Sequence, residues 1–127
     1  MKIVLFDAVA DRYGSSRICR LIIDTLRANG HQVTAHVSEN RLPDTESYAA
    51  RYPFPMLALT WLREAPFAFL GELLRKAWRF YRRPAAGWRE AELIYCNTFG
   101  TIPVALLSRL AGKRVIAHVH ETPMAAW

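Results

Sequence analysis

Strand-like and helix-like segments alternate along this chain of 127 residues. That alternation predicts an α/β fold built on a doubly wound, mostly parallel sheet. Three observations carry the expectation. The opening run KIVLFDA is apolar at consecutive positions, as in a strand covered on both faces. An amphipathic helix and a second strand follow within forty residues, which is a right-handed βαβ unit. A second unit lies near the end, where ELIYCN and RVIAHV flank a short helix.

The elements follow in order. Residues 2–8 form the first strand and residues 9–16 a loop, in which Gly14, Ser15 and Ser16 open a helix. Ile18, Leu21, Ile22 and Leu26 recur at helical spacing and are its expected apolar face. Asn29-Gly30 ends the helix, because glycine accepts the left-handed cap conformation. Residues 31–37 alternate as the second strand. Residues 38–53 are polar and proline-marked, and read as a loop with at most short structure. Residues 54–83 are mostly helical, with Pro55 and Pro66 as start or break points. Residues 84–91 connect to a strand at 92–97. Thr101 caps a helix running to Leu110, Pro103 is tolerated in its first turn, and Gly112 stops it. Residues 114–119 form the last strand, with His120-Glu121-Thr122-Pro123 at its carboxyl end.

Hydrophobic residues at 52% and charged residues at 22% suit one folded domain over residues 1–127 and argue against disorder. The net charge of +6 favours acidic partners: nucleic acid, phosphorylated substrates or anionic lipid. Cys19 and Cys96 form no CxxC pair and read as reduced, buried thiols, which suits the cytoplasm. The first apolar run is too short for a signal peptide, and no segment reaches the length of a spanning helix.

Ligands of such sheets bind at the carboxyl ends of the strands, and three polar clusters belong there. Asp11-Arg12-Tyr13-Gly14-Ser15-Ser16 follows the first strand; a glycine permits close backbone approach, and free N–H groups at a helix start favour an anion. A plain helix cap by Ser15 reads equally well. Neither G-x-G-x-x-G nor G-K-[ST] is present, which weakens the dinucleotide and P-loop alternatives. Asn97-Thr98-Phe99-Gly100-Thr101 follows a later strand. Asn97 offers a donor and an acceptor to a sugar hydroxyl, and Gly100 allows close approach; an ordinary strand-to-helix turn is the other reading. His118 and His120 share one face of the last strand. His120 at the tip can orient a hydroxyl or stabilise developing charge, and Glu121 can act as a base or fix the imidazole. These residues do not follow a helical H-E-x-x-H, so no metal site is expected.

The helix of residues 67–83 is the other distinctive segment. Phe67, Leu70, Leu74, Trp78 and Tyr81 cluster on one face, which Leu73 and Phe80 widen; Arg75, Lys76, Arg79, Arg82 and Arg83 gather opposite. Because a doubly wound sheet needs helices to cover it, the apolar face is expected to pack on the sheet. The alternative is an interfacial helix on anionic lipid, to which Phe54, Trp61 and Trp88 would add.

The series KIVLFDA, YGSSR, RANGHQV and ELIYCNTFGTIPVALLSRLAGKRVIAHVHETP, in this order, resembles the N-terminal domain of family 4 glycosyltransferases over residues 1–40 and 85–123. The resemblance implies a GT-B enzyme: two Rossmann-like halves facing a cleft, a nucleotide-sugar donor as substrate, and no metal or other cofactor. The N-terminal half would hold the acceptor, a glycan or a lipid-linked sugar. Gly14 and Ser15, with Ser16 beside them, would line the cleft, Asn97 with Thr98 and Gly100 would meet the acceptor, and His120 would contact the reacting sugar. The early loop is poorer in glycine than the family's usual one, and the nucleotide-sugar domain is absent from this sequence. The isolated chain, read as an incomplete GT-B half, is therefore expected to be inactive, cytoplasmic and peripheral on the inner face of the membrane. Nucleic acid is not an expected partner. Two rival readings stand beside this one. The first is a non-catalytic Rossmann-like binding module or a subunit of a split transferase. The second is a receiver-type signalling domain, for which Asp7 and Asp11 are suggestive but no phosphoacceptor Asp and matching Lys follow.

Overall fold

The computed structural model describes residues 1–10, 14–40, 49–52, 54–55 and 63–118. Five parallel strands form one sheet in the order β3-β2-β1-β4-β5: β1 Lys2–Ala10, β2 Gln32–Asn40, β3 Ala50–Arg51, β4 Leu93–Asn97 and β5 Arg114–His118. Helix α1 (Gly14–Ala28) joins β1 to β2, α2 (Pro66–Arg82) precedes β4, and α3 (Ile102–Leu110) joins β4 to β5. This is the expected doubly wound, Rossmann-like α/β architecture, with a wholly parallel described sheet.

Helices lie on both faces because right-handed crossovers leave β1 in opposite directions. Ile3 and Leu5 of β1 pack with Val33 and Ala35 of β2 beneath Cys19 and Ile23 of α1. The alternate residues Val4 and Phe6 face the other way, into a core closed by Phe80 of α2 and Val104 and Ala105 of α3. Period-two alternation therefore serves two separate cores, which is why KIVLFDA lacks polar positions until Asp7. Cys19 and Cys96 are both buried thiols outside any disulfide, and they belong to opposite faces.

Glycine punctuation behaves as expected. Gly30 ends α1 at φ +86°, where its N–H reaches the Arg27 carbonyl and the His31 N–H reaches that of Leu26. Gly112 repeats the arrangement after α3 at φ +80°, with Lys113 N–H donating to the Ser108 carbonyl. Both are Schellman closures, which satisfy the orphan carbonyls of a helix end.

Several boundaries and faces differ from expectation. β1 and β2 run on to residues 10 and 40, and the short structure allowed for within 38–53 is β3, whose two residues pair with His36 and Val37. Phe54 and Pro55 are buried outside any helix, whereas α2 starts at Pro66, one of the two expected start points, whose missing N–H costs nothing in a first turn. Thr101 stands at the N-cap of α3 as expected but makes no side-chain capping bond: its hydroxyl turns back to donate to the Thr98 carbonyl at 2.8 Å. In α1 the buried line is Cys19 and Ile23; Ile22 and Leu26 are half-buried, and Ile18 and Leu21 are exposed.

The largest correction concerns α2. Phe69 and Phe80 are its buried residues, whereas Phe67, Leu70, Leu74, Trp78 and Tyr81 all face solvent. The expected sheet-packing stripe is thus the outer face. Phe80 wins the inner position because a ring cage awaits it: Phe6, Tyr52 and Trp88 meet it edge-on at 5.9, 6.0 and 5.3 Å. Trp88 is itself buried, donates Nε1–H to Ser108 Oγ at 2.8 Å and lies under Lys113 Nζ. Phe54 and Trp88 are therefore core residues and do not extend a lipid-facing surface; Trp61 lies outside the described residues. Among the described residues, no helix is long and apolar enough to cross a membrane.

Candidate functional site

The chain leaves β1 toward β2 on one side and returns to β4 on the other, so the carboxyl ends of β1 and β4 flank the topological switch point. Gly14, Ser15 and Ser16 form the first turn of α1 at that end, following the tip of β1. Asn97 ends β4, beside Asp7 of β1 on one flank and His118 of β5 on the other. The structure thus brings the Gly-Ser helix start and Asn97 to one rim. His120 and Glu121, with Asp11, Arg12 and Tyr13, lie outside the described residues.

Register produces the central feature. Asp7, Asn97 and His118 occupy one pleat level across three adjacent strands. One step earlier the same face carries Leu5, Tyr95 and Ile116. The face therefore changes from apolar to carboxylate, amide and imidazole within two residues of the strand tips. Asp7 and Asn97 are fully buried, and Asp7 Oδ1 accepts the Ala8 N–H at 2.8 Å. His118 is half-buried, and its Nδ1 lies 2.9 Å from the Tyr95 hydroxyl. Burial, then the neighbouring Cys19, pushes the Tyr95 phenol up, so it keeps its proton and can donate to Nδ1.

Thr98 follows the row and is the most unusual residue of the molecule. Its φ is +77°, and among the described residues it is the one non-glycine at positive φ. A β-branched side chain is a poor fit to that region. Its N–H donates to the His118 carbonyl at 2.8 Å, and its carbonyl accepts the Thr101 hydroxyl. The Thr98 side-chain oxygen is buried and has no hydrogen-bond partner among the described residues. Strain and an unsatisfied hydroxyl coincide at a switch point, a pairing that sites of function tolerate. Gly100 follows in the 3-10 turn Phe99–Thr101 and is half-buried.

The cysteine beside this row is chemically silent. Cys96 points to the opposite core, and burial pushes its thiol up to about 12. Among the described residues, no group of three His, Cys, Asp or Glu side chains could hold a metal ion. Sequence reasoning picked out Asn97, Thr98 and Gly100. It passed over Asp7 and Tyr95 as members of the site. The available signal was the carboxylate that interrupts an otherwise apolar strand. Arg75, Lys76, Arg79, Arg82 and Arg83 sit on and just after α2, in the other layer. No protein-family model, curated protein or solved structure matches the chain.

Proposed function

We propose that this chain is the acceptor-side, Rossmann-like half of a GT-B glycosyltransferase, working with a nucleotide-sugar-binding half that faces the tips of β1 and β4. The observation that carries the reading is the polar rim at the switch point: Asp7, Asn97 and His118 in register, followed by the strained Thr98 with its unpaired hydroxyl. A polyol acceptor needs alternating donors and acceptors in a shaped recess. The half-buried imidazole of His118 and the Thr98–Gly100 turn lie nearest such an acceptor, and the buried amide and carboxylate order the strand tips beneath them. The absence of G-x-G-x-x-G and G-K-[ST] from the sequence separates this rim from the dinucleotide and P-loop versions of the fold.

In this reading the acceptor, a glycan or lipid-linked sugar, lies over the rim, with Gly14, Ser15 and Ser16 at one side and Thr98 and Gly100 at the other. His120 orients the attacking hydroxyl or steadies charge as the nucleotide departs, and Glu121 fixes the imidazole. The partner half grips the donor. The enzyme works in the cytoplasm at the membrane face, which fits two buried thiols on opposite sides of the sheet.

The test is sugar transfer from a radiolabelled nucleotide sugar by the chain combined with a nucleotide-sugar-binding half. His120→Ala should lower kcat/KM by about 100-fold or more while leaving the unfolding midpoint in place. Full activity in that variant would end the assignment. A second reading, one subunit of a split transferase, draws on the exposed Ile116 of β5, the last strand of the described sheet. It expects transfer only when this chain is mixed with a separate donor-binding chain.

A further inference from the structure

We propose that α2 is a membrane-surface helix: its outer stripe Phe67, Leu70, Leu74, Trp78 and Tyr81 beds into the headgroup–acyl boundary of an anionic bilayer while the neighbouring arginines hold lipid phosphates. The inference rests on the orientation of α2 and stands whether or not the chain handles sugars.

The helix is docked, so the stripe is not exposed for want of a core. Phe80 is caged by Phe6, Tyr52 and Trp88, and the Arg83 carbonyl accepts the Tyr52 hydroxyl. With that line buried, Phe67 is left 89% exposed and Trp78 63% exposed, and Leu70, Leu74 and Tyr81 lie in the open beside them. At about 100° per residue, the five occupy an arc of about 80° and extend along about 21 Å of helix. Five large apolar side chains in one continuous strip exceed the scattered exposure ordinary on a soluble surface.

Charge selects the occupant. Arg82 and Arg75 follow the stripe around the helix within about 60°, and Arg79 comes next. Arg75, Arg79, Arg82 and Arg83 are exposed, and with Trp78 they line one shallow depression. Glu72 is the sole acid of α2 and is already held by Arg75, whose hydrogen bonds keep the carboxyl below its ordinary range. Stacking two copies along the stripe would bring these guanidinium groups to a helix that offers them no other carboxylate. A convex apolar strip bordered by cations fits a fluid, negatively charged interface, which moulds itself to the helix. Trp78 and Tyr81 stack on each other at 6.4 Å near the basic end, the arrangement expected of amphipathic rings at headgroup depth.

The experiment is sedimentation of the whole chain with phosphatidylcholine vesicles, with and without about 30% phosphatidylglycerol, at about 0.1 M salt. Binding should require the anionic lipid and weaken as salt rises. Changing Arg75, Arg79 and Arg82 to Glu should lower the partition coefficient by at least about 100-fold, at about fivefold per lost cation. Leu74→Ser with Trp78→Ser should lower it by about tenfold or more. Leu21→Ser, at an exposed apolar residue of α1 on the other layer, should leave it unchanged, which ties binding to α2. All the altered side chains of the two surface variants are exposed, and circular dichroism would verify that they fold. Equal binding by the Arg-to-Glu variant, no binding by the parent chain, or a solution dimer that Trp78→Ser dissociates would each overturn the proposal.

Discussion

Replacing Thr98 with Gly should make the protein more stable and its rim less able to hold a polyol. Thr98 sits at φ +77° with a buried hydroxyl that has no partner among the described residues. A left-handed backbone costs a residue with a Cβ about 1–2 kcal/mol, and a buried unsatisfied hydroxyl costs about 1–3 kcal/mol. Glycine removes both penalties. Against this stand the greater freedom of glycine in the unfolded chain, about 0.5–1 kcal/mol, and the lost burial of one methyl, about 0.8 kcal/mol. The balance favours the variant by about 1–2 kcal/mol. With a urea dependence of about 1–2 kcal/mol per molar, the unfolding midpoint should rise by about 1 M at unchanged slope. Thr98→Val divides the effect, since it keeps the branched Cβ and exchanges the hydroxyl for a methyl; it should stabilise by less than Gly does. Urea titrations followed by far-ultraviolet circular dichroism measure all three proteins. A midpoint for Thr98→Gly below that of the parent would refute the argument, because it would mean that the threonine stabilises the turn it occupies.

Three further outcomes follow from the same structure. Phe80→Ala should cost about 3–5 kcal/mol by emptying the ring cage, whereas Phe67→Ala on the outer face should change stability by less than about 0.5 kcal/mol; comparable losses in urea titrations would mean that α2 packs the other way. Trp88→Phe removes the donor from the fully buried Ser108 hydroxyl and should cost about 1–3 kcal/mol. Adding Ser108→Ala should cost less than its effect in the parent, and strict additivity of the two in a thermal-denaturation cycle would deny the bond. His36 donates from Nε2 to the Ala86 carbonyl, and burial holds its pKa below the ordinary 6.5. The unfolded chain therefore takes up a proton near pH 6.5 that the folded chain refuses. The stability associated with neutral His36 is complete above that value and is lost as pH falls toward the lower folded pKa, by at most about 1.4 kcal/mol per pH unit. His36→Gln, which retains a donor, should flatten the fall in Tm between about pH 7 and pH 5; an identical slope in the variant would remove His36 as its source.

Much of the site was legible and part was not. Asn97, Thr98 and Gly100 announce themselves as polar and small residues at the end of an apolar strand, and Gly14 opens a helix after another. Asp7 was visible as a carboxylate, but its partnership with Asn97 and His118 depends on the register of strands separated by some ninety and twenty residues of chain. No local pattern encodes such a register. The left-handed turn at Thr98 is equally hidden, because a β-branched residue is among the last that propensity would place there.

The amino-acid order alone was sufficient for the parallel α/β plan. Apolar runs of strand length, helical spacing and the two Asn-Gly and Gly stops are local signals, and backbone sterics read them locally. What tertiary structure decided was the orientation of α2. Its sequence offers apolar side chains on two adjoining arcs, one holding Phe69 and Phe80 and the other Phe67, Leu74 and Trp78. Periodicity cannot rank two arcs that are both hydrophobic. The choice belongs to Phe6, Tyr52 and Trp88, which come from three distant segments and form a recess of the right shape for Phe80. Close packing rewards the arc that fills the recess, and the other arc is left facing out.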